Sequence, residues 1–230
     1  MKKLLIGVAI LFVQMSFAQI TKEVGDFDEV KVFDKLHVKL VASSDNKVVI
    51  KGARESEVEV INKKGILKIR MTMSKLLSGD DLDITLYYKH IELIDVNEGA
   101  VVTSTDAIKA TSFKVSAQEG GKINVDLDVD KLKVSSVSGG EITLSGKASN
   151  QDASLGAGGF LLASKLVTSQ TTVSVSAGGK ADVNATTLVD AKVSAGGSIY
   201  IYGKPKQINQ KTVFGGKIEE VKQKFYLNDK

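Results

Sequence analysis

Val115-Ser116-Ala117-Gln118-Glu119-Gly120-Gly121-Lys122-Ile123-Asn124-Val125 is followed by a near copy of itself, Val134-Ser135-Ser136-Val137-Ser138-Gly139-Gly140-Glu141-Ile142-Thr143-Leu144. The phrase recurs along the chain. Gly-Gly pairs stand at Gly120-Gly121, Gly139-Gly140, Gly158-Gly159, Gly178-Gly179, Gly196-Gly197 and Gly215-Gly216, at intervals of 19, 19, 20, 18 and 19 residues. Gly99-Ala100, 21 residues before Gly120, is a degenerate member of the series.

The flanks repeat with the glycines. Three residues after the first glycine come Ile123, Ile142, Leu161, Ala181, Ile199 and Ile218; two further on come Val125, Leu144, Ala163, Val183 and Ile201, until Glu220 breaks the line. Five residues before the pairs stand Val115, Val134, Ala153, Val173 and Ala191, failing last at Gln210. Apolar residues two apart with polar ones between them describe a strand with one buried face, because side chains alternate faces along an extended chain. Each unit therefore reads as a strand, a Gly-Gly corner, a second strand and a looser return. One such unit cannot bury its inner face, but a stack of them can. The spacing predicts an all-β chain, a parallel β-helix or β-solenoid with coils of about 19 residues, rising about 4.8 Å per coil. The glycines are expected at the corners because a tight bend needs positive φ. The phosphate-cradling alternative lacks the Gly-Lys-Ser/Thr that would follow such a loop.

Upstream, the strand pattern persists without glycine pairs: Val30 and Val32; Leu36, Val38 and Leu40; Val58 and Val60; Leu67 and Ile69; Leu82, Ile84 and Leu86. Turn-rich pieces such as Ser43-Ser44-Asp45-Asn46 and Asn62-Lys63-Lys64-Gly65 separate them. These strands either begin the stack or cover its open end, where an uncapped coil would present an unpaired edge. The segment from Lys217 to Lys230 is expected to cap the other end. The chain divides into an export signal at 1–18, a strand-rich part at 19–95, and the Gly-Gly solenoid with its cap at 96–230.

The signal is expected from Lys2-Lys3, the uncharged run Leu4 to Val13 and the small residues of Ser16-Phe17-Ala18, with cleavage after Ala18. The exported chain would carry (31 − 2) − 27 = +2, with no run of like charge, which excludes a nucleic-acid partner as the reading of its basicity. There is no cysteine, hence neither a disulfide nor a lipid-modified cysteine. No second apolar stretch is long enough to span a bilayer as a helix.

Phe27-Asp28, Val30, Val32, Phe33 and Leu36, then Val48-Val49-Ile50, Gly52, Gly65, Leu67 and Ile69, followed by units such as Gly121-Lys122-Ile123-Asn124, resemble the autotransporter-adhesin head domain called the GIN domain. The match covers nearly all of the exported chain, and its specificity lies in the order and spacing of short motifs. The resemblance implies a right-handed, single-stranded β-helix of the kind secreted by Bacteroidetes, a role at the cell surface and no catalytic residues. An autotransporter needs a C-terminal membrane barrel, and the sequence printed ends about 14 residues after its last Gly-Gly pair without one.

No reactive constellation stands out. His37 and His90 belong to different strands, and a zinc site would need further ligands at a spacing that is not there. Asp126, Asp128 and Asp130 form a D-x-D-x-D run, but Lys131 and Val137 occupy the positions where a calcium loop needs glycine and glutamate. Ser116, Ser135, Ser154 and Ser174 read as an outward ladder without a base. Neither a metal nor a cofactor is expected.

One outward patch remains. Phe160 and Leu162 flank Leu161, and Tyr200 and Tyr202 flank Ile201 two coils later. With coils in register, Leu162, Asp182 and Tyr200 share a line, a candidate surface for a glycan or an envelope protein. The chain is expected to be a binding module and not an enzyme. A polysaccharide lyase or hydrolase, warranted only by fold analogy, and a purely structural envelope protein are the alternatives.

Overall fold

The computed structural model describes residues 19–222; the expected export signal lies outside them. Seventeen strands form one continuous sheet wound into a solenoid of about seven turns. The first nine are β1 (Gln19–Glu23), β2 (Glu29–Val32), β3 (His37–Ala42), β4 (Lys47–Lys51), β5 (Val58–Lys63), β6 (Ile66–Met71), β7 (Asp83–Tyr88), β8 (Leu93–Val96) and β9 (Val101–Ser104). Long strands follow: β10 (Ile108–Ala117), β11 (Lys122–Ser136), β12 (Glu141–Leu155), β13 (Phe160–Ser176) and β14 (Lys180–Ser194). The last three are β15 (Ser198–Tyr202), β16 (Gln207–Val213) and β17 (Lys217–Glu220).

From β11 to β14 the expected looser return is in fact strand, whereas residues 203–206 between β15 and β16 keep it. β11 runs 15 residues with buried Ile123, Val125, Leu127 and Val129, then the exposed pair Asp130-Lys131, then buried Leu132, Val134 and Ser136. Two exposed residues in succession shift the alternation by one, so the chain bends while its apolar side stays inward. Parallel pairing then lays each coil on the next, with Ile123 opposite Ile142, Ile142 opposite Leu161, Leu161 opposite Ala181 and Ala181 opposite Ile199. All five are buried, as are Val115, Val134, Ala153, Val173 and Ala191 on the facing wall.

The corners are tight turns, and the positive φ expected of glycine is carried by the first glycine of every pair. Positive φ belongs to the residue before each pair and to the first glycine: Glu119 and Gly120 at 54° and 74°, Ser138 and Gly139 at 50° and 75°. Gly121 N–H then donates to Gln118 O at 2.9 Å and Gly140 N–H to Val137 O at 2.9 Å, which closes a type I′ turn. The second glycine answers to a neighbour instead. A Cβ on Gly140 would lie 2.2 Å from the carbonyl oxygen of Ala117 in the preceding coil, whereas a Cβ on Gly139 would meet nothing within 4 Å. At the last two corners Gly197 and Gly216 also take positive φ, 115° and 123°.

The same turn occurs where no glycine announces it. Asp34 and Lys35 both have φ of 60°, and Leu36 N–H donates to Phe33 O at 3.2 Å. β2, this corner and β3 thus make a coil, pairing in parallel with β8 and β9 on one side and with β6 and β7 on the other. The excursion between β3 and β8 carries β4 to β7. Beyond β6 and β7 the pairing turns antiparallel, β5 on β6 and β1 on β4 on β7, so this end is built differently from the stack. Side chains tie its two edges together: Lys22 Nζ donates to Val58 O at 3.1 Å and Asn62 Nδ2 to Val24 O at 2.7 Å. Buried Asp34 accepts from the backbone N–H of Met71 and of Leu77, both at 3.0 Å, and so anchors the loop between β6 and β7.

At the far end β16 pairs with β14 and β17 with β15, both parallel, so Lys217–Glu220 continues the stack. Phe214, at the last corner, is 91% exposed.

Candidate binding surface

The coil register brings the outward patch together. Thr143, Leu162, Asp182, Tyr200 and Glu219 follow one another on successive coils, β12 to β15 and β17. Phe160, Lys180, Ser198 and Lys217 form the adjoining line, and Tyr202 stands opposite Asn184 on the other side. Each side chain points outward because its immediate neighbours in the chain, Leu161, Ala181, Val183, Ile199 and Ile201, fill the interior. Phe160 is 40% exposed, and Leu162, Tyr200 and Tyr202 are half-buried.

Charges frame the aromatic rings. The Nζ atoms of Lys180, on the coil below, and Lys217, on the coil above, lie 5.2 and 5.5 Å from the centroid of the Tyr200 ring. That places both ammonium groups within cation–π range. Lys217 also pairs with Glu219, and Lys180 Nζ lies 3.9 Å from Asp182 Oδ1. Asp182 is largely covered between Leu162 and Tyr200, and its Oδ1 has no hydrogen-bond partner. Burial pushes its carboxyl above the ordinary range, with Lys180 opposing. The Tyr202 hydroxyl is pushed up as well, by burial first and then by Asp182 and Tyr200.

Lys180, Lys217 and the covered state of Asp182 were not among the residues singled out from sequence. Their signal was the same interval of 18 to 20 residues, applied to the polar positions as well as the apolar ones. The remaining candidates stay apart. His37 is exposed on β3, and His90 faces Glu92 at 3.0 Å. Asp126, Asp128 and Asp130 point outward, Asp128 toward Lys147 at 3.3 Å. Ser116, Ser135, Ser154 and Ser174 stand in register on the outside. Corner acids Glu98 and Asp34 adjoin, and the Glu98 carboxyl is raised by burial first and Asp34 next. Among the described residues no group of three or more His, Asp or Glu is placed to hold a metal ion. None of their helices is long and apolar enough to cross a membrane.

Stacked parallel coils of about 19 residues, filled mostly with aliphatic side chains, define the chain as a β-solenoid. It belongs to the family described as "Putative auto-transporter adhesin, head GIN domain", whose model matches residues 26–205. That membership supports an adhesion-type role at the cell surface. Solved structures share the fold. A "putative adhesin" from Bacteroides fragilis is 21% identical with a TM-score of 0.80, covering 90% of this chain and 98% of that one. A second, from Parabacteroides distasonis, is 20% identical with a TM-score of 0.69, covering 89% and 97%. A "putative lipid binding protein" from Parabacteroides distasonis is 18% identical with a TM-score of 0.69, covering 89% and 96%. The search of curated proteins finds no match.

Proposed function

We propose that the chain is a non-enzymatic adhesion module, exported after cleavage near Ala18, that presents the face bearing Phe160, Leu162, Tyr200 and Tyr202 to a glycan of its surroundings. The observation that carries this reading is the Tyr200 neighbourhood: an aromatic ring, two ammonium groups and a largely covered, unsatisfied carboxylate oxygen on adjacent coils. An apolar ring face packs against the C–H face of a sugar, and the two ammonium groups donate to its hydroxyl oxygens. The rigid coil stack fixes these groups in place, so little conformational freedom is lost on binding.

Glycan-array binding of the purified protein, followed by calorimetry on each hit, tests the reading. The Tyr200→Ala, Tyr202→Ala double variant is expected to bind about tenfold more weakly or worse, as loss of a central aromatic anchor does. Unchanged affinity in that variant would remove this face from consideration, and an empty array would remove the glycan.

A further inference from the structure

A second surface lies on a different side of the coils. A groove of about 390 Å³ runs along the solenoid axis over β10 to β13. One wall is the register line Ser112, Lys131, Asn150 and Gln170; the other is Lys133, Asp152 and Thr172. Between them lies the floor at Leu132 and Gln151.

The polar groups of this groove are uncommitted. Elsewhere, opposite charges in register on adjacent coils pair: Lys122 with Glu141 at 3.7 Å and Lys147 with Asp128 at 3.3 Å. Lys133 and Asp152 stand in the same relation yet form no ion pair. Among the described residues, Lys131, Asn150, Gln170 and Thr172 likewise make no side-chain hydrogen bond or ion pair within the protein. Beneath the walls the alternation turns Gln151 inward, where its Oε1 accepts from the buried Thr171 Oγ1 at 3.1 Å, so its side chain belongs to the interior and not to the groove.

We propose that this groove binds a linear acidic polysaccharide lying along the solenoid axis. Lys131 and Lys133, with Lys114 next in line on β10, supply donors for carboxylate or sulfate groups. Asn150, Gln170 and Thr172 supply the mixed donors and acceptors that sugar hydroxyls require. Successive coils lie about 4.8 Å apart, close to the length of one sugar ring, so each unit of an extended polymer meets the polar groups of a new coil. The inference is independent of the aromatic face.

The test is calorimetric titration of the purified protein with oligogalacturonate and with its neutral methyl ester. The acidic form is expected to bind and to weaken as salt rises. The Lys131→Ala, Lys133→Ala double variant should lose about tenfold or more, since charge-assisted hydrogen bonds are removed. Asn150→Ala with Gln170→Ala should lose a smaller factor. Both pairs are exposed, and unchanged circular dichroism would show the fold intact. Equal binding of the neutral ester overturns the acidic class. Equal loss in Lys165→Ala, Lys192→Ala, exposed lysines outside the groove, reduces the effect to diffuse attraction and overturns the site, as does no binding by either probe.

Discussion

The corner at Asp34-Lys35 and the corner at Ser138-Gly139 have the same backbone but are held by different means. Around Asp34 the chain relies on side chains: a buried carboxylate receives two backbone N–H groups, and Leu36, Leu40, Leu67, Ile69, Met71 and Leu86 fill the interior. Around Ser138 it relies on bare backbone, for Gly140 rests against Ala117 O of the coil beneath and the turn residue contributes no side-chain bond. The interior is also smaller there and beyond, with Ala148, Ala153, Ala163, Ala181, Ala185 and Ala191 at buried positions. Irregular ends need individually placed groups, whereas a repeated coil gains its fit from a contact that recurs at every turn.

The largest expected effect breaks the first kind of corner. Asp34→Ala leaves the Met71 and Leu77 N–H groups without acceptors and should cost about 4 kcal/mol in denaturant unfolding. Ser138→Ala, at the matching position in the stack, should be close to neutral. Gly140→Ala strikes the second kind, because its new methyl would sit 2.2 Å from backbone. Coil separation or a shifted turn should cost about 3 kcal/mol. Gly139→Ala has open space and suffers only the left-handed φ of 75°, so about 1 kcal/mol is expected. A ratio near one between these two glycine variants, measured in the same denaturant series, would refute the division of labour within the pair.

The smallest effect concerns Asp182, on the aromatic face. Its folded-state pKa is raised by burial, so the folded state keeps the proton to higher pH than the unfolded chain. Stability from this group is therefore lost as pH rises from the ordinary carboxylate range through the folded value. Asp182→Asn should be slightly more stable than the parent at neutral pH, and the gap should close near about pH 3, where both states are protonated. Paired melting curves across that range measure it, and a gap that widens on acidification would reverse the assignment.

Much of this was legible in the residues. The 18-to-20-residue interval located every coil from Gly120 onward and named the buried columns, because a parallel stack places identical positions on top of one another. The outward line Leu162, Asp182, Tyr200 followed from the same count. Three things were hidden. The Asp34 corner has no glycine, since an anchored aspartate can occupy a left-handed turn when its carboxylate is itself held. The return segment reads as irregular because a single double-exposed step, Asp130-Lys131, shifts the alternation without ending the strand. The groove wall combines residues that look like ordinary solvated polar positions, and only their failure to pair distinguishes them.

By itself the amino-acid order determined the coil length, the inward positions and the existence of the corners, all of which are local periodicities that alternation and glycine impose. Tertiary structure alone decided which glycine bends the chain and which yields to the coil below, how the antiparallel end meets the parallel stack, and which surface charges remain unpaired. The reason is that those properties depend on distances between coils, such as the close approach of Gly140 to Ala117 O, and such distances are set by packing across the stack.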